Sequence, residues 1–217
     1  YAIRYASMGD VRLVEQWYRM NRSRNLSEFK KAMSIHAIPM FNTGYADKSG
    51  NIYYVYNARI PKRHPDLNWN KVVPGDQSIY LWNEYIPYDE LPQIENPPGG
   101  FIYSCNNTPY LCTDDPKDFP NRLPENTGID THQTNRALRA LELYGKDKNI
   151  SRDEFLSYKY DKQYSKDSHI ANVLEKFIID SKDIVTDLKP AINLLKNWDL
   201  SGEEDNREAA LGFLTFR

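Results

Sequence analysis

Two apolar, aromatic-rich runs, residues 35–42 and 51–58, flank the turn Asp47-Lys48-Ser49-Gly50, and this arrangement limits the fold more than any other stretch. An Asp-x-x-Gly turn between such runs predicts a β-hairpin, which needs at least one partner layer to bury its apolar face. Upstream, residues 1–9 read as a strand entering a turn at Gly9. Asp10 could cap a helix carrying Val11, Val14, Trp17 and Tyr18 on one face. Asn25 and Glu28 have capping-box spacing for a second helix that would bury Leu26, Phe29 and Met33.

The pattern then changes twice. Residues 61–100 hold seven prolines and little periodicity, which predicts a long ordered loop with short strands near Tyr80-Leu81-Trp82. Gly99-Gly100 precedes a further expected strand over residues 101–104, and a second irregular stretch follows to about residue 130. From Thr131 onward the reading is helical. Leu138 and Leu141 follow Arg136 at helical spacing, and Ser151 with Glu154 forms a capping-box match. Ile170, Val173, Leu174, Phe177 and Ile178 make an apolar stripe, and Ile192, Leu194, Leu195 and Trp198 suggest a helix after Pro190. The expected organisation is a strand- and loop-rich part over residues 1–130 and a helical segment of the same domain over 131–217, truncated at its end.

Bulk properties narrow the function classes. The 217 residues are long enough to bury a core, and no apolar run approaches the ~18 residues of a membrane span. A formal net charge of −2 offers no basic field for nucleic acid or an anionic membrane. Sixteen tyrosines suit half-buried strands as well as ligand-binding faces, so a non-catalytic carbohydrate- or peptide-binding module with a tyrosine-rich face stands as the alternative function. Cys105 and Cys112 are too few for a disulfide framework, though they could pair with each other. The chain opens on Tyr1, which reads as a processed chain or an excised fragment.

No self-contained catalytic motif is present. His36, His64, His132 and His169 are scattered and read as structural or surface residues, and Asp114-Asp115 in a proline-rich loop reads as a solvated turn, with a hard cation as the other option. The most informative cluster is Ser104-Cys105-Asn106-Asn107-Thr108-Pro109. Asparagines at such a position can satisfy turn backbone groups, or one amide can be aimed at a developing oxyanion in acyl transfer.

Several stretches together resemble the penicillin acylase family of N-terminal nucleophile hydrolases, which includes acyl-homoserine lactone acylases and lipopeptide acylases. They are Gln16-Trp17-Tyr18; Asn42-Thr43-Gly44-Tyr45-Ala46-Asp47 leading to Gly50-Asn51-Ile52; and Arg59-Ile60-Pro61. Next come Tyr85-Ile86-Pro87-Tyr88-Asp89-Glu90-Leu91-Pro92; Asn96-Pro97-Pro98-Gly99-Gly100-Phe101-Ile102 with Asn106-Asn107-Thr108-Pro109; and Asn135-Arg136 opening a helix. Their order and spacing match the family over nearly the whole chain. The resemblance implies an α+β fold, part of the αββα sandwich with antiparallel strands and a helical segment.

It also implies a linear amide hydrolase working through a serine acyl-enzyme. The nucleophile would lie outside this chain, in the part of the large (beta) subunit that precedes it, so the isolated chain is expected to be inactive. Asn106 matches the family's oxyanion-hole asparagine, and Arg136 matches the arginine near the nucleophile's amino group. Met40 falls near a position that shapes the acyl pocket, where core packing explains it equally well. The loop between Asn106 and Arg136 is longer than in the best-known penicillin acylases. It disturbs the match to a family calcium ligand, so no cofactor or metal residue is assigned here, while calcium in the intact enzyme is compatible with the resemblance. The implied partners are an N-acylated small-molecule substrate, the small (alpha) subunit and the remaining large-subunit segments of one precursor, with no nucleic acid and no membrane. The implied compartment is periplasmic or extracellular.

Overall fold

The computed structural model describes residues 2–114, 119, 122–182 and 187–216. It divides into two compact units, Tyr1–His132 and Gln133–Arg217.

In the first unit, helix α1 (Leu13–Arg22) and helix α2 (Leu26–Met33) precede a hairpin of strands β1 (Met40–Ala46) and β2 (Ile52–Ala58). A short third strand, β3 (Gln93–Glu95), pairs on the other side of β2, so the sheet order is β1-β2-β3, antiparallel throughout. The hairpin turn is built by Asp47. Its carboxylate accepts the N–H groups of Ser49 (2.8 Å) and Asn51 (3.1 Å) and the hydroxyl of Tyr45 (2.9 Å), while Gly50 adopts φ +85°.

Register assigns the two faces. Met40, Asn42 and Gly44 stand opposite Ala58, Tyr56 and Tyr54, while Phe41, Thr43 and Tyr45 stand opposite Asn57, Val55 and Tyr53. On the second face lie Leu26, Phe29 and Met33 of α2, the residues expected to be buried there; each such side chain contributes about 1.5–3 kcal/mol on burial. Asn25 caps α2 by accepting the N–H of Glu28 (2.9 Å). On the first face, Tyr54 and Ile94 pack with Tyr110, Cys112 and Phe119.

Four local expectations are corrected. Residues 2–9 form an irregular segment and a turn with Gly9 at φ +84°, not a strand. Asp10 does not cap α1, because it lies too early. Its carboxylate instead takes the Arg12 guanidinium (2.7 Å) and that of Arg59, and the Arg12 hydrogen bond holds its carboxyl well below the usual range. Residues 78–80 make a 3-10 turn, and residues 101–104 are not a strand: of that segment, Tyr103 N–H bonds Cys112 C=O at 2.8 Å.

The apolar face of α1 is also largely exposed, Val14 and Tyr18 included, although Trp17 meets Phe41 edge-on at 5.7 Å. The helix buries Gln16 instead, at 0% exposure. Its Oε1 accepts the N–H groups of Ala37 (2.8 Å) and Ile38 (3.0 Å), and its Nε2 donates to Met33 C=O (3.3 Å). One side chain therefore fixes the connection between α2 and β1, which is why β1 begins at Met40 and not near residue 35.

The second unit is helical: α3 (Asn135–Leu143), α4 (Arg152–Lys159), α5 (His169–Asp180), α6 (Lys189–Lys196) and α7 (Arg207–Thr215). Ser151 and Glu154 complete the capping box of α4. Leu174, Leu195, Trp198 and Ala209 form the core, with Ile170, Phe177 and Ile178 of the α5 stripe against it. Gly212 lets α7 approach the Trp198 ring: a Cβ there would lie 2.5 Å from a ring carbon. Among the described residues no helix is long and apolar enough to cross a membrane.

Candidate active site

Residues 99–114 leave β3 and return in a closed loop whose neck, stem and tip are each held differently. At the neck, Gly99 lies against the Asp114 carboxylate so closely that a Cβ would come within 2.1 Å of it. In the stem, Tyr103 N–H meets Cys112 C=O at 2.8 Å. Tyr110 and Cys112 anchor the returning arm beneath Tyr54, and Tyr110 Oη accepts the N–H of Leu123 at 2.9 Å. Ile102 of the outgoing arm approaches Gly44, whose ideal Cβ would stand 3.4 Å from its Cδ1. The loop thus packs on the face of the sheet that carries Met40, Asn42 and Gly44.

At the tip, the two adjacent asparagines do different things. Asn106 is exposed and adopts φ +60°, a left-handed conformation that asparagine tolerates better than most residues. Asn107 is 6% exposed and spends its amide on the backbone. Its Oδ1 accepts Cys105 N–H (2.8 Å), and its Nδ2 donates to Thr108 C=O (3.0 Å) and Leu111 C=O (2.8 Å). Turn support, one of the two roles weighed for these asparagines from sequence, thus falls to Asn107. An amide side chain at an exposed position on a loop tip can donate a hydrogen bond to a developing negative charge.

Met40 is 56% exposed at the start of β1, on the same sheet face. Arg136 belongs to the second unit, in the first turn of α3, where it is exposed. Thr134 caps that helix by accepting Ala137 N–H (3.2 Å), and Asn135 Oδ1 accepts Ser165 N–H (2.8 Å). A cation in a first turn works against the helix dipole, so α3 gains nothing from it as a helix.

The remaining candidates have other roles. His36 bonds Ala58 C=O through Nε2 at 2.8 Å, and burial pushes its imidazole below the ordinary value. His132 bonds Asp130 at 2.6 Å on the surface, and His64 and His169 are exposed. Cys105 and Cys112 form no disulfide; burial pushes the Cys112 thiol up to about 12. Asp115 lies outside the described residues. Asp114 has Thr113 Oγ1 at 3.2 Å, and among the described residues no group of three or more His, Cys, Asp or Glu gathers as a metal site. The tyrosines of β2 are structural: Tyr53 Oη lies 2.6 Å from Tyr88 Oη, and Tyr54 Oη donates to Asn42 Oδ1 at 2.7 Å.

The family model described as penicillin amidase matches residues 1–216. The chain is 36% identical over 75 residues to the penicillin acylase 2 proenzyme of Pseudomonas sp. (strain SE83), covering 31% of this chain and 10% of that protein. It is 30% identical over 104 residues to the penicillin G acylase of Escherichia coli, covering 48% of this chain and 11% of that protein. In structure it is similar to a thermostable penicillin G acylase from Alcaligenes faecalis, with TM-score 0.65 and 25% identity, over 90% of this chain and 33% of that one. The matches thus span about a tenth of the curated relatives. The fold is a partial α+β arrangement of the N-terminal nucleophile hydrolase type, and the chain belongs to the penicillin amidase family.

Proposed function

We propose that this chain is an internal part of the large subunit of an N-acyl amide hydrolase, with its serine nucleophile outside these residues. The serine hydroxyl adds to the amide carbonyl and the carbonyl oxygen becomes an oxyanion. Collapse expels the amine, which takes up a proton, and leaves an acyl-enzyme; water then attacks this ester and releases the acid. Asn106 donates its side-chain N–H to the oxyanion of both tetrahedral intermediates. Arg136 stands near the nucleophile's amino group, Met40 contributes to the acyl pocket, and both units belong to one domain completed by the small subunit and the rest of the large one. Penicillins, homoserine lactones and lipopeptides are the substrate classes in view, and the compartment is periplasmic or extracellular.

The observation that carries this reading is the exposed position of Asn106, in a left-handed conformation at the tip of a loop fixed on both arms. Strained, ordered polar residues of this kind cluster at reactive sites. The alternative of a binding module with a tyrosine-rich face is weakened by the burial of Tyr53 and Tyr54. The test is Asn106→Ala in the full-length processed enzyme, assayed on p-nitroanilides of phenylacetic, hexanoic and dodecanoic acids. Loss of one oxyanion donor costs about 2.7–4 kcal/mol, seen as a ~10²–10³-fold fall in kcat with KM little changed. An unaltered kcat refutes the assignment, and turnover by the isolated 217 residues, abolished by the same substitution, refutes the placement of the nucleophile.

A further inference from the structure

An oxyanion donor works only if it is held in place before the charge develops, because a donor that must be ordered during the reaction gives back what it contributes. Loop tips are ordinarily the most mobile part of a fold. The tip at Asn106 carries an added burden, since a non-glycine residue at φ +60° persists only where its surroundings over-determine it.

Asn107 is placed to impose that constraint. Its amide holds the backbone on both sides of residue 106: Cys105 N–H before it, and Thr108 and Leu111 C=O after it. The side chain is 6% exposed, so these bonds do not compete freely with water. Its fit is chemical as well as spatial. The site needs one acceptor and two donors within the reach of a single short side chain, which only asparagine supplies. Aspartate would turn two donors into negative charge facing two carbonyls, leucine would remove all three hydrogen bonds, and glutamine is one methylene too long.

We propose that Asn107 is the positioning residue of the oxyanion site, acting through Asn106 and not on substrate. The proposal rests on the reading of Asn106 as the oxyanion donor, so its test must separate the two. The experiment is a double-mutant cycle in the full-length processed enzyme on the same p-nitroanilides, with Asn106→Ala, Asn107→Ser and the pair, assayed below the melting temperature of each.

Displacing the donor predicts a kcat lower by roughly 10- to 100-fold in Asn107→Ser, with KM within about twofold. In the Asn106→Ala background the second substitution is expected to change kcat by less than about twofold, since the group it positions is gone. Multiplicative losses in the double variant overturn the positioning role. A wild-type kcat in Asn106→Ala overturns the oxyanion reading instead.

A measurement on the unsubstituted enzyme keeps the proposal refutable if Asn107→Ser fails to fold or no probe is turned over. With ¹⁵N-asparagine labelling, the backbone amide of Asn106 is expected to show an order parameter near 0.85. A value below about 0.6 shows a mobile tip and overturns the proposal.

Discussion

Replacing Gln16 with methionine keeps the volume of the side chain and removes only its hydrogen bonds, which isolates what this residue does. Gln16 Oε1 accepts the N–H groups of Ala37 and Ile38, and both residues are fully buried. Without it, two backbone donors lie in the interior unpaired, at about 1–3 kcal/mol each, so the loss should reach about 2–6 kcal/mol. That is a large part of the 5–15 kcal/mol typical of a domain. Urea unfolding of the wild-type and Gln16→Met proteins, followed by far-ultraviolet circular dichroism, should show a lower midpoint at unchanged slope. Hydrogen exchange should show the Ala37 and Ile38 amides opening faster than those of β2. A loss below about 1 kcal/mol would mean that the connection between α2 and β1 finds other acceptors, and the account of the clamp fails.

Gly212→Ala should cost about 1–3 kcal/mol through overpacking against Trp198, read as a fall in melting temperature, because its Cβ would stand 2.5 Å from the ring. His36 is held neutral by burial, so the unfolded chain takes up a proton first. Stability should be full above about pH 6.5 and decline as pH falls below it, and His36→Asn should flatten that decline in unfolding curves at about pH 7.5 and 5.5. With its thiol pushed up to about 12, Cys112 should resist iodoacetamide at about pH 8 in the native protein and react once unfolded, as mass spectrometry of tryptic peptides would show.

Elements held by local chemistry were legible before any coordinates. Asn25, Ser151 and the Asp47–Gly50 turn announce their helices and hairpin because cap and turn side chains act within four residues of their targets. Elements held by distant partners were not. β3 has three residues next to Pro92 and exists because Ile94 pairs with Tyr54. Residues 101–104 have strand-like composition, yet among the described residues no strand pairs with them. Gln16 was not among the residues expected on the buried face of α1, and only the turn after α2 explains its burial.

At the site, Asn106 was visible as a member of a motif, and the tertiary environment then separated it from Asn107. Composition could not say which of the two supports the turn, because the same side chain stands at both positions. Only the Cys105 N–H and the Leu111 C=O, brought together by the loop, distinguish them.

The pairing of Tyr54 with Ile94 closes a long excursion of irregular chain onto the sheet. The entropy of such closure grows only logarithmically, so doubling the excursion would cost about 0.6 kcal/mol. Related chains can therefore lengthen or shorten residues 61–87 and still seat β3, which leaves this stretch available for diversification. The turn at residues 105–111 has no such latitude: a single residue inserted on either side of Asn107 would pull its amide off at least one of the partners at 105, 108 and 111.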